Sequence, residues 1–372
     1  MLIEIGNDII SNAEQQDEVS IETLEQLAYA QRNGKHFICI NFEQCGKICK
    51  IPYLGYIAKS IYRKIKDSIY GLDTLKQKIR QRVVISSKNP NKDEIIWINP
   101  YVHKYFKFTE ETHVLAENIA DTELFEFISW FYQSQNKLKK CEISFYPLQG
   151  GGVTISDVYK SEIALGKHFC LAVADSDKKY PSSEVGSTGM KLKKLHDEVL
   201  PFNCRYYVLN SVCEIENLIP IPILKNYGNN RNHYLFNKMR RLPDLSYFDM
   251  KKGLECCSIK CEDEYDYLFN QISNEESLKD CMEQCHICLS GDGYNVSKEK
   301  KAGCKKKKVL IPGFGKNVLK DIIQEDKSSI KSNKNKLKSV TFRDLTSEQK
   351  NEWLAIGQYI FEWCCAPRKM RV

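Results

Sequence analysis

Between residues 111 and 225, short apolar runs alternate with longer amphipathic stretches, and no other feature constrains the fold of this chain as much. "HVLAE" precedes "DTELFEFISWFYQSQ", in which Leu124, Phe127, Ile128 and Phe131 recur at helical spacing. Acids fill the first turn of that stretch, as a helix N-terminus favours. "EISFYPL", a glycine turn "QGGG", a polar amphipathic stretch, "FCLAVAD", a long loop and "RYYVLN" follow in order. Strands separated by helices need right-handed crossovers, so the expected core is α/β with a mostly parallel sheet. Residues 1–110 read as an α+β region suited to docking or dimerisation, with a helical start in "SIETLEQLAYAQR" and strands in "HFICINF" and "VVIS". Residues 226–372 read as mainly helical, interrupted by cysteine-rich and lysine-rich insertions.

A chain of 372 residues has room for two or three cores, and 42% hydrophobic with 28% charged residues is ordinary for a globular protein. "MLIEIGNDII" lacks the basic lead and apolar core of a signal peptide. "NLIPIPIL", the nearest approach to a membrane segment, is broken by its prolines. The expectation is a cytoplasmic protein with no membrane contact, whose sixteen cysteines are free or metal-bound and not disulfide-linked. The formal charge of +7 is unevenly placed: Lys298 to Lys338 holds fourteen lysines against four acids. Such a block either binds phosphate backbones or is a solvated linker.

In an open parallel sheet, sites form beyond the carboxyl ends of the strands. Three strand candidates end in acids here. Glu117 closes "HVLAE" with Asp121 four residues on, Asp175 and Asp177 close "FCLAVADSD", and "RYYVLNSVCEIENLIP" leads into Glu214 and Glu216. Carboxylates grouped this closely raise one another's pKa or bind cations. Oxygen ligands without histidine favour Mg2+ or Mn2+. Two such ions would activate water and stabilise the leaving oxygen in an attack at phosphorus. Asp-x-Asp after a strand also occurs in haloacid-dehalogenase-like phosphatases and in glycosyltransferases. The former usually carry a threonine where Lys179 stands, and neither accounts for Glu117 with Asp121.

"VLAENIADTELF" resembles the Toprim signature, an apolar strand followed by Glu-Gly-x-x-Asp, and "LAVADSD" resembles the Toprim Asp-x-Asp strand. "ISFYPLQGGG" is similar to the second strand and glycine turn of the OLD (overcoming lysogenization defect) nucleases, and "EIENLIP" to the acidic segment that follows. The resemblance spans residues 111–225 and implies a Rossmann-like, mostly parallel four-stranded core. It implies a nuclease holding two Mg2+ or Mn2+ ions: Glu117 as ligand or general base, Asp121 on the same ion, Asp175 central, Asp177 on the second ion. Glu216, with Glu214 as second choice, would be the downstream acid, and Lys316 in "IPGFGKNVL", with Lys225 behind it, the charge-stabilising lysine. Asn118 stands where the family has glycine, and asparagine tolerates left-handed backbone, so the turn is expected to survive. No G-x-x-x-x-G-K-[ST] loop is present, so the resemblance is to standalone anti-phage effectors, such as that of the PARIS system, whose ATPase is a separate sensor subunit.

Cys285-x-x-Cys288 with Cys257-x-x-x-Cys261 has the spacing of a structural Zn2+ site, the alternative being buried free thiols. The seven histidines form no pair at helical spacing. The expectation is therefore a metal-dependent endonuclease acting on DNA or RNA, tRNA included, and forming a homodimer. Two alternatives stay open: a Toprim-fold scaffold without catalysis that binds an ATPase or nucleic acid, and an RNA-processing or primase-like enzyme.

Overall fold

A computed structural model describes residues 1–67, 72–90, 95–138, 141–227, 244–255, 259, 261–272, 309–324 and 333–371. By contacts the chain forms two compact units. One comprises 1–173, 190–207 and 353–372; the other comprises 174–189 and 208–352. None of the four boundaries falls at 110 or at 225.

The first unit carries two four-stranded sheets. In the first sheet, β1 (Leu2–Ile5), β2 (Phe37–Cys39), β3 (Arg82–Ile85) and β4 (Ile95–Ile98) lie in the order β2-β1-β3-β4, every pair parallel. Helices α1 (Asn7–Glu14) and α2 (Glu18–Arg32) link β1 to β2. Helices α3 (Phe42–Lys50), α4 (Tyr56–Asp67) and α5 (Leu72–Lys78) link β2 to β3. Helix starts follow local chemistry: Asp17 accepts from Ser20 N at 2.8 Å, and Asn41 with Gln44 closes a capping box on α3. This corrects the α+β expectation for residues 1–110. Ile3, Ile5, Val83 and Ile85 are all buried on one face, and the long helical connections from β1 to β2 and from β2 to β3 return the chain as parallel strands.

The second sheet has the order β7-β5-β8-β9, with β5 (Thr112–Ala116), β7 (Phe145–Gln149), β8 (Cys170–Ala174) and β9 (Cys204–Val208). β5 is parallel to β7, with His113 opposite Tyr146, and to β8, with Val114 opposite Leu171. Cys170 N donates to Asn203 O at 2.9 Å and Leu209 N to Ala174 O at 3.0 Å, so β9 runs in the same direction as β8. α6 (Ile119–Gln135), α7 (Ile155–Leu165) and α8 (Ser187–Val199) make the crossovers, as the alternation of runs requires.

The run "EISFYPL" divides at Ser144, whose N donates to Cys364 O at 2.9 Å. Its first part, β6 (Glu142–Ile143), pairs antiparallel with β12 (Cys365–Ala366) at the end of the chain, and only the second part enters the sheet. The C-terminal segment thus completes the first unit. Trp353 meets Phe131 of α6 edge-on at 5.2 Å, and a Cβ on Gly357 would lie 2.5 Å from Tyr132 Cβ, so only glycine admits that approach. The Met1 ammonium donates to Cys365 O at 2.7 Å, and Leu2, Phe37, Tyr132, Phe361 and Cys365 share one apolar cluster.

The second unit holds the loop after β8, the 3-10 turn Ile215–Leu218, and a two-stranded antiparallel sheet of β10 (Gly253–Glu255) and β11 (Val309–Pro312). It also contains α9 (Ile221–Tyr227), α10 (Glu262–Ile272), α11 (Val318–Gln324) and α12 (Asn333–Lys338). No helix of the described residues is long and apolar enough to cross a membrane.

Candidate metal centre

β8 ends at Ala174 because the next three residues turn onto a neighbouring segment. Ser176 N and Asp177 N both donate to Cys213 O, at 3.0 and 2.9 Å, and Ser176 Oγ donates to Val212 O at 2.5 Å. Ser176 is completely buried. The residue between the two aspartates is therefore the pin of the turn, and it sends the aspartates to different places. Asp175 is buried and accepts from Ile215 N at 2.9 Å through Oδ1. Asp177 is exposed with a left-handed backbone (φ 55°) and lies over Gly186, where a Cβ would come within 2.4 Å of its own.

Glu214 and Glu216 are set by Asn217, which is almost completely buried. Its Oδ1 accepts from Glu214 N at 2.7 Å, and its Nδ2 donates to Leu245 O and Phe248 O at 2.6 and 2.8 Å. Gln349 Nε2 donates to Asn217 O and Ile219 O, at 2.8 and 3.0 Å. Asn217 thus uses its side-chain oxygen and nitrogen and its backbone O to hold the turn, and a buried network satisfied in this way holds one geometry. The result is that Asp175, Glu214 and Glu216, all buried, each bring a carboxylate oxygen within 4.8 Å of the others.

A lysine stands among them. Lys251 Nζ is 2.9 Å from Glu216 Oε1 and 3.2 Å from Glu214 Oε2, while Met250 N donates to Glu214 Oε1 at 2.8 Å. Burial first, then the charge of Glu216, push the Glu214 carboxyl up to about 7, with Lys251 acting in the opposite direction. Burial alone would lower the pKa of Lys251, but Glu216 and Glu214 outweigh it and hold the ammonium well above its ordinary value. Burial also pushes the Cys213 thiol up to about 12, so it stays protonated at neutral pH. Three carboxylates and no thiolate or imidazole make an all-oxygen donor set, which fits Mg2+ or Mn2+.

The lysine expected here was Lys316, with Lys225 behind it; both are exposed, Lys316 in the turn ahead of α11. The segment "IPGFGKNVL" is nonetheless beside the acids through its backbone. Phe314 N donates to Met250 O at 2.7 Å and Gly315 N to Lys251 O at 3.1 Å, and a Cβ on Gly313 would meet the backbone of Lys252 and Gly253 at 2.4–2.5 Å. The glycines of this segment carry Lys251 into position. No sequence signal marked Lys251, because "DMKKG" has no periodicity and its partners lie 35 and 37 residues away.

In the first unit, Glu117 follows β5 and is half-buried, and its backbone O accepts from Gly151 N at 3.0 Å. Gly151 and Gly152 of the "QGGG" turn have φ of +67° and +60°, and a Cβ on Gly152 would lie 3.8 Å from Glu117 Oε2. Asp121 is buried in the first turn of α6, where its Oδ2 accepts from Asn118 N at 2.8 Å. Asn118 is extended (φ −130°, ψ 156°), not left-handed: it is the N-cap of α6, so this turn does not need glycine. Of the four cysteines proposed for zinc, Cys257, Cys285 and Cys288 lie outside the described residues, and Cys261 is a half-buried free thiol. The lysine run from Lys305 to Lys308 also lies outside them.

No family model matches this chain, and neither a curated protein nor a solved structure matches it.

Proposed function

We propose that this protein is a divalent-metal-dependent phosphodiesterase of the Toprim type that cleaves nucleic acid. The observation that carries this reading is the convergence of Asp175, Glu214 and Glu216, buried, at the end of a strand of a parallel sheet and in the turn that follows β9. Desolvating three carboxylates opposes folding, so such a group persists where a cation compensates it. Asp175, Glu214 and Glu216 would hold Mg2+ or Mn2+, which when bound supplies Lewis acidity and an activated water for attack at phosphorus. Asn217 and Ser176 orient the ligands, and Lys251 keeps positive charge beside the reacting phosphate. The proposed setting is a defence effector working with a separate ATPase on DNA or RNA.

The test is incubation of the purified chain with plasmid and tRNA plus Mg2+ or Mn2+, alone and with a candidate partner ATPase. Metal-dependent cleavage lost in Asp175→Ala supports the reading. Equal cleavage in that variant ends it.

One observation favours a second reading. Lys251 already bridges Glu214 and Glu216, which is the arrangement expected if an ammonium has taken the place of a metal in a non-catalytic Toprim-fold scaffold. Calorimetry with Mg2+ separates the two, because the scaffold needs no ion.

A further inference from the structure

Two histidines of this chain, His113 and His168, meet across a sheet and not along a helix. His113 is the second residue of β5 and His168 lies two residues ahead of β8; the parallel register sets His113 opposite Cys170. The two imidazoles are consequently 4.3 Å apart between ring centroids. Glu110, two residues ahead of β5, has Oε2 at 3.0 Å from His168 Nε2 and Oε1 at 2.7 Å from Lys107 Nζ. Glu162 of α7 is buried, with Oε2 at 3.0 Å from His113 Nδ1 and 3.8 Å from His168 Nδ1. One ligand atom from each of Glu110, His113 and His168 lies within 4.8 Å of the other two.

Both ring nitrogens of His168 are closed to solvent, and neither makes a hydrogen bond. A buried polar atom left that way costs about 1–3 kcal/mol, so it calls for an explanation. The contact between His168 Nε2 and Glu110 Oε2 is short yet not aligned for a hydrogen bond. Two lone-pair atoms so placed are stabilised by a shared cation. Nitrogen and oxygen donors together suit the zinc class of ions, not Mg2+. A carboxylate on the far nitrogen of a metal-binding histidine fixes its tautomer, and Glu162 stands in that relation to His113. Burial, then the neighbouring His113, lower the pKa of His168 and favour the neutral form that ligates metals. Lys35, Glu111 and Tyr146 line a cleft that also exposes Glu110 and His113, and so provides access.

We infer that Glu110, His113 and His168 form a binding site for a transition-metal ion such as Zn2+, at the amino-terminal edge of the second sheet, with Glu162 positioning His113. The three ligands leave one tetrahedral position open to the cleft for water or an anion. The site is separate from Glu117, because His113 and Glu117 are four residues apart on one extended segment, about 13 Å at the strand rise. It does not rest on the phosphodiesterase reading.

The experiment is titration of the metal-stripped full chain with Co2+, read by absorption. Expected are visible bands of four-coordinate Co2+ without an intense near-ultraviolet thiolate band, reversed by Zn2+. His168→Gln and Glu110→Gln are expected to weaken binding at least tenfold, the low end for loss of an outer-shell partner. Glu110 is exposed, so Glu110→Gln tests the site without disturbing a core, and far-ultraviolet circular dichroism checks both variants. Asp175→Asn is expected to keep the bands. Absence of bands, a thiolate band in their place, unchanged bands in both variants, or their loss in Asp175→Asn would each overturn the inference.

Discussion

The acids at the end of β5 and the acids around Lys251 looked alike as text, but the structure treats them differently. Asp121 is committed to the backbone: its carboxylate accepts from Asn118 N and starts α6, and Glu117 is only half-buried beside the glycine turn. Asp175, Glu214 and Glu216 are buried together, and Glu214 is pushed up to about 7. A buried carboxylate becomes a metal-ligand candidate when other carboxylates share its desolvated space, as around Asp175, and a capping group when it accepts from the N-cap of its own helix, as at Asp121. The comparison also separates the members of one motif: Asp175 turns inward and Asp177 outward, because Ser176 is the residue that anchors the turn.

The two regions differ most at Lys251. Lys251→Met leaves Glu214 and Glu216 facing each other without a counter-charge, and loss of one partner of a buried pair costs about 3–5 kcal/mol. Urea unfolding in EDTA is expected to show that loss, and Mg2+ is expected to restore most of it. Under the scaffold reading Mg2+ restores nothing.

Asp175→Asn removes the negative charge of a ligand and one of its two oxygen donors. It is expected to weaken Mn2+ binding by more than about 100-fold, the upper end for losing an outer-shell partner, as measured by calorimetry.

Acidity gives the next test. Glu214 titrates at about 7 in the folded chain against 4.5 when exposed, so the folded state holds a proton that the unfolded state releases. Metal-free stability is expected to fall as pH rises from 4.5 to about 7 and to level off above that. Glu214→Gln should flatten this slope. Metal must displace the same proton, so Mg2+ affinity is expected to rise by up to about tenfold per pH unit below 7.

The smallest effect is expected at Asp121→Ala. Loss of the contact to Asn118 N should cost about 1 kcal/mol of thermal or urea stability, with metal affinity unaltered. A tenfold loss of metal affinity there would erase the difference between the two regions.

The amino-acid sequence by itself determined the local half of this protein. The period of Leu124, Phe127, Ile128 and Phe131 made α6, and the runs "HVLA", "CLAVA" and "RYYV" made parallel strands, because burial against neighbours repeats every few residues along the chain. It also located the acids that follow those strands. Only the tertiary structure decided which acids meet, since that depends on hydrogen bonds from Asn217, Gln349 and Ser176 to segments tens or hundreds of residues away. The same holds for Lys251, for the pairing of His113 with His168, and for the return of Trp353 and Cys365 to the first unit. Contacts of that kind have no period to read. They are set by the sheet register and by what remains to be neutralised once the chain is packed.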